Sequence, residues 1–153
     1  MTTIVLETPI FADIQSCFDV ARNIDVHVLS TKGTNEKAIA GRISGFAELD
    51  DTITWEATHF GIKQQLTSKI TQFNAPIFFE DTMQKGAFKS MRHEHHFENL
   101  GEVTKMVDIF KYEVPYSIFG AIFNKLILKR YMTNFLSNRN QVIKEFAESN
   151  SKN

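Results

Sequence analysis

The hydrophobic and polar positions change period along the chain. Thr3 to Thr8 alternates around Ile4, Val5 and Leu6 and reads as a short first strand, which Pro9 stops. From Phe11 to Asn23 the apolar positions Ile14, Cys17, Phe18 and Ala21 recur at helical spacing, with Asp13, Gln15, Ser16 and Arg22 on the other side. Asn23 breaks that helix, and Asp25 to Leu29 predicts a second short one. Ser30 to Lys37 is polar, carries Gly33 and Asn35, and reads as a loop.

The period then becomes two. Ile39 to Leu49, with Gly41 and Gly45 as bulges, Thr52 to Phe60, Lys63 to Phe73, Ile77 to Met83, Phe88 to Glu98 and Val103 to Val114 predict a six-stranded meander. Asp50-Asp51, Phe60-Gly61, Asn74-Ala75-Pro76, Gln84 to Ala87 and Asn99 to Glu102 supply the turns. After Pro115 the pattern is helical almost to the end. Leu128, Met132, Phe135, Leu136, Val142, Ile143 and Phe146 form a stripe, opposed by Lys129, Arg130, Asn134, Asn138, Gln141, Lys144 and Glu145. Ile118 to Leu128 is apolar nearly all round, which predicts cover on more than one side. The expected organisation is one domain over residues 1–149 and a polar tail at 150–153.

An antiparallel sheet has one face to bury, and the only element long enough to span it is the last helix. A curled sheet and a single helix leave room between them, with the two short helices closing one end. The expected class is therefore α+β: a curved antiparallel sheet of about seven strands around a long C-terminal helix, enclosing a cavity.

Composition agrees with a single globular core. In 153 residues, 42% are hydrophobic and 23% charged, and a formal net charge of -1 leaves no nucleic-acid footprint. Fourteen Phe against one Trp and three Tyr supply large rings without polar tips, suited to a core or a cavity wall. Cys17 is the only cysteine, which excludes an intrachain disulfide and a Cys-rich metal site and fits a reducing compartment. No signal peptide is read at the N-terminus, and Asn124 and Lys125 break the longest apolar stretch, so the expected location is the cytoplasm, without stable membrane insertion.

Phe79-Glu80-Asp81, Lys85-Gly86-Ala87-Phe88, His93-Glu94-His95-His96-Phe97, Asp108, Tyr112, Pro115 and Phe135 to Arg139 carry a family resemblance. The chain resembles the SRPBCC superfamily, which holds START, Bet v 1-like and polyketide cyclase-like domains of the helix-grip fold. Within it, the chain resembles an uncharacterised ligand-binding subfamily related to domains attached to cell division inhibitor proteins. The resemblance implies that fold and a cavity for a hydrophobic ligand, and supplies no reaction and no cofactor.

Strand parity then picks out candidate residues. Met91, His93, His95 and Phe97 share one face of their strand, and Arg92, Glu94, His96 and Glu98 the other. Pairing Glu98 with Val103 sets Asp108 opposite His93 and Met106 opposite His95. His59 shares a face with Trp55 and Ala57, and Asp81 with Phe79 and Met83. A two-residue turn at Lys85-Gly86 would point Asp81 outward, so an inward Asp81 requires a bulge. The expected ligand-binding set is His59, His93, His95, Asp81, Asp108, Trp55, Leu66, Phe79, Met83, Met91, Met106, Phe110, Ile122 and Leu126.

Three chemistries suit His59, His93, His95, Asp81 and Asp108. They can form a hydrogen-bonded network that orients the polar end of a small hydrophobic ligand. Asp108 can fix the tautomer of His93 for acid-base work of the cyclase, dehydratase or isomerase type. His93-x-His95 with His59 can offer imidazoles to a metal. Other features read more simply. Cys17 is a small core residue, and Gly41-x-x-x-Gly45 lacks the Lys-Ser/Thr of a phosphate loop. Lys125, Lys129, Arg130, Arg139 and Lys144 form a solvated basic face. His27 and His96 have no evident partner, and no protein partner is identified.

Overall fold

A computed structural model describes residues 1–115 and 118–153. Strand β1 (Thr2–Ile10) is followed by helices α1 (Ile14–Ala21) and α2 (Ile24–Ser30) and a 3-10 turn over Lys32–Thr34. Six strands follow: β2 (Lys37–Gly41), β3 (Thr52–His59), β4 (Ile62–Asn74), β5 (Phe78–Lys85), β6 (Ser90–Asn99) and β7 (Thr104–Glu113). The chain ends in α3 (Ile118–Phe123), a π-helical turn over Asn124–Leu128 and α4 (Lys129–Ser151). The sheet is antiparallel throughout, in the order β1-β7-β6-β5-β4-β3-β2. The six-stranded meander is thus present, with β1 returning to its last strand.

Local chemistry sets the boundaries, and several differ from the sequence reading. Pro9 does not stop β1. It pairs with Lys105 inside a strand that has only one neighbour, and an edge strand has no second ladder for a missing N–H to break. Asp13 caps α1, its side chain accepting from the Ser16 amide, and Asn23 caps α2 by accepting from the amides of Asp25 and Val26. The predicted strand from Ile39 to Leu49 ends at Gly41. There φ is +74°, and a Cβ would lie 1.9 Å from the Thr52 carbonyl oxygen, so the chain leaves the ladder at a residue that must be glycine. The hairpin between β3 and β4 turns at Phe60-Gly61, both at positive φ, as a tight two-residue connection requires.

The long terminal helix is present, but among the described residues its first part is covered on one side only, where Gly120, Phe123 and Leu128 face the cavity. The start expected just after Pro115 falls on residues 116 and 117, outside the described residues. From Ile118 onward, Ile118 (72% exposed), Phe119 (86%), Ile122 and Leu126 face outward. The polar end continues as helix to Ser151.

The interior has two apolar clusters. In one, Phe18 of α1 meets the edges of Phe73, Phe79 and Phe97 at centroid distances of 5.4 to 5.5 Å, with Ile10, Ile24, Met106 and Ile143 around them. This end, closed by the two short helices, is solid. The other cluster holds Ile4, Met91, Phe110, Tyr112, Leu128, Met132 and Leu136 and is hollow.

Candidate functional site

Between the sheet and the terminal helix lies a cavity of about 550 Å³. Apolar side chains make most of its wall, among them Trp55, Leu66, Phe88, Met91, Phe110 and Phe135. Its polar members are Gln64 and Gln65 on β4 and three pairs: His93 with Arg139, His59 with Tyr131, and His27 with Glu36.

The first pair belongs to a buried network at the boundary between the solid and hollow ends. His93 Nε2 lies 2.8 Å from Oδ1 of Asp108, and His95 Nε2 lies 3.0 Å from Oδ1 of Asp81. Asp108 accepts further bonds from Asn140 Nδ2 at 2.7 Å and from Arg139 at 3.3 Å, and Arg139 also donates to Asn140 Oδ1 and the Ala21 carbonyl. Arg139 and Asn140 are buried, so Arg139 does not belong to the solvated basic face on which its charge suggests it should lie. His95 stacks on Phe79 at 4.1 Å; its Nδ1 lies 3.0 Å from Oδ1 of Asp108, off the direction of a hydrogen bond and without another partner.

Register explains how the strands assemble this group. Asp108 faces His95 and Phe110 faces His93, because Glu98 pairs with Lys105 rather than Val103. The slip from the predicted pairing is two residues. It preserves parity, so Asp108 stays on the inward face and reaches His93 diagonally. Asp81 pairs with His93 and points inward. Pairing of β5 with β6 stops at Thr82 and Arg92, and the irregular stretch between them resets the parity that a two-residue turn would have given.

Burial acts against charge at His93, Asp108 and Asp81. It lowers His93, assisted by His95 and opposed by the bond to Asp108, to about 4. Burial alone would raise the Asp108 carboxyl. The hydrogen bond from His93, the closeness of the His95 ring and the charge of Arg139 outweigh it and hold Asp108 well below the usual carboxylate range. Burial would also raise Asp81, but its bond to His95 and the neighbouring charges bring it below 3.8. The network therefore holds ionised aspartates against a neutral His93.

The predicted site residues divide. His59, His93, Trp55, Leu66, Met91 and Phe110 line the cavity. His95, Asp81 and Asp108 stand behind His93 in the network, and Phe79 and Met106 belong to the solid cluster. Met83 packs at the edge of the hollow cluster, and its Sδ lies where a Cβ on Gly86 would come within 2.7 Å. Ile122 and Leu126 are on the exposed side of the helix, away from the cavity. Arg139, Asn140, Tyr131, His27 and Glu36 join the site without having been picked out by strand parity. His27 has a partner after all: Nε2 is 2.5 Å from Glu36, and its ring lies 4.3 Å from that of Trp55. His96 contacts Glu94 at 3.0 Å on the outer face, where Arg92 also bridges Glu80 and Glu94.

Among the described residues, Asp81, His93 and His95 bring one potential metal donor each within 4.8 Å of one another. His59 is elsewhere, its Nδ1 2.7 Å from the Tyr131 hydroxyl. A cation at the three donors would displace the Asp81–His95 and Asp108–His93 bonds beside the Arg139 guanidinium, so the donors suit each other better than a metal. Cys17 is buried, which pushes its thiol up to about 11 and leaves it without nucleophilic character.

Comparison with known proteins identifies the architecture. No known family's sequence profile matches the chain, and no curated protein matches it. Solved structures do. TTHA0849 from Thermus thermophilus superposes with a TM-score of 0.80 at 18% identity, over 98% of this chain and 99% of that one. Ginseng major latex-like protein 151 from Panax ginseng gives 0.69 at 14% identity, over 95% and 97%. Ara h 8.0201 gives 0.61 at 11% identity, over 93% and 97%. The chain has the Bet v 1-like helix-grip fold. No helix among the described residues is long and apolar enough to cross a membrane.

Proposed function

We propose that this protein binds a small hydrophobic or amphipathic molecule, of lipid, polyketide-like or isoprenoid character, in the cavity between the sheet and the terminal helix. The observation that carries the reading is the contrast between the two ends of one core. Phe18, Phe73, Phe79 and Phe97 interlock at one end, whereas about 550 Å³ stays open at the other beneath a buried polar floor. Tight packing is the norm for protein interiors, and a void of this size exceeds packing imperfection. The proposal extends to a place in the ligand-binding subfamily named above, on the sequence resemblance carried by Phe79-Glu80-Asp81 and His93 to Phe97, and to a cytoplasmic location, which the lone cysteine supports. The test is a fluorescence titration with the neutral probe N-phenyl-1-naphthylamine, together with native mass spectrometry of gently extracted protein. Saturable binding at one site and a copurified small molecule are expected; absence of both sinks the reading.

A second reading is favoured by the 2.8 Å contact of Asp108 with His93. A carboxylate that orients an imidazole at a cavity wall is the arrangement of a general base, here for a cyclase, dehydratase or isomerase. His93→Gln should then abolish turnover while leaving probe affinity within a few fold.

A further inference from the structure

The proposed cavity also carries information about the polar end of its guest. His93 is the network's imidazole on the cavity wall. Its Nε2 faces Asp108, a carboxylate, which can only accept, so the ring hydrogen of the neutral imidazole sits on Nε2. Nδ1 bonds to nothing among the described residues and keeps its lone pair. A guest that meets this nitrogen must bring a hydrogen.

Charge in the wall points the same way. Arg139 is the only Lys or Arg that lines the cavity among the described residues, and Glu36 is the only acid. Arg139 is already matched, since it donates to Asp108, Asn140 and the Ala21 carbonyl. Behind it stand two carboxylates, Asp81 and Asp108, so even a proton on His95 only brings the floor to neutrality. Turning Arg139 toward an incoming carboxylate would weaken the ion pairing of a fully buried Asp108.

We infer that the cavity takes a neutral guest whose polar end is a hydroxyl donating to Nδ1 of His93, and that it rejects the corresponding carboxylate. The inference rests on the binding reading above and fixes the chemical class of its ligand. A carboxylate would lose its hydration, find no free cation, and set a lone pair against the lone pair of Nδ1.

The experiment is calorimetric titration of the intact protein at neutral pH with 2-naphthol, naphthalene and 2-naphthoate, three probes of one shape. Affinity should fall in that order, by about tenfold or more from naphthol to naphthoate. Naphthoate binding as tightly as naphthol would overturn the inference while leaving the cavity reading intact, and no binding by any of the three would overturn both. His93→Phe should bring naphthol down to the level of naphthalene. Retention of the naphthol preference in a folded H93F protein would also refute the assignment, and the three-probe series decides the matter if that variant does not fold.

Discussion

Asp108 on β7 accepts from His93 on β6 at 2.8 Å while its other oxygen accepts from Asn140 on α4 at 2.7 Å, so one carboxylate ties the sheet to the helix. It also neutralises Arg139, which has no other acidic partner among the described residues. Removing it strands a buried guanidinium. Asp108→Ala should therefore cost about 3–5 kcal/mol, as for other broken buried pairs, whereas Asp108→Asn, which keeps an acceptor, should cost less. Urea unfolding of both variants measures the difference, and a cost for Asp108→Ala under about 1 kcal/mol would contradict the role given to this residue.

The same network predicts how stability depends on pH. His93 titrates at about 4 in the fold, below its ordinary 6.5, so between those values the unfolded chain takes up a proton that the fold refuses. Stability then falls as pH drops through that window, by on the order of 3 kcal/mol for this one buried group. Asp108 and Asp81 are depressed below 3.8, so their contribution is present above that value and is lost as pH falls through it toward the folded values. Unfolding midpoints measured from about pH 4 to pH 8 should slope downward toward acid. In His93→Gln the slope between about pH 4 and pH 6.5 should flatten, whatever the absolute midpoint.

How far the sequence reveals this site depends on which rule governs each residue. Strand alternation is a parity rule, and parity survives a two-residue error in the β6–β7 register; it places Asp108 on the correct face but opposite the wrong histidine. Arg139 and Asn140 escape such a reading because charged and polar residues on a helix default to the outer side. Their positions carry a signal nonetheless. Leu136, Arg139, Asn140 and Ile143 recur at three- and four-residue spacing along one stripe, so the polar pair interrupts an apolar face. The reverse error befalls Ile118 to Leu128. An apolar run with no polar side does not reveal which of its residues find a neighbour, and cover on a second side is not found among the described residues.

Two phenylalanines test that distinction. Phe18 is fully buried among three other rings, and Phe18→Ala should cost about 3–5 kcal/mol because the solid cluster would be left with a cavity. Phe119 is 86% exposed, and Phe119→Ala should change stability by no more than about 0.5 kcal/mol. Equal costs in chemical denaturation would mean that the beginning of the terminal helix is packed after all.

The hollow end offers the opposite kind of substitution. Ala57 on β3 is buried and lines the cavity, with no side chain beyond its methyl to fill the adjacent space. In a close-packed interior an added ring forces neighbours off their rotamers and destabilises by about 1–3 kcal/mol. Here the ring has space to enter, and it covers apolar surface that an unliganded cavity leaves open. Ala57→Phe should leave the unfolding midpoint unchanged or raised while lowering affinity for N-phenyl-1-naphthylamine by about tenfold or more. The two readouts separate the explanations. Lost binding with kept stability means that the ring occupies the guest's position, whereas lost stability with kept binding means that the probe binds elsewhere and that the wall at Ala57 is already full.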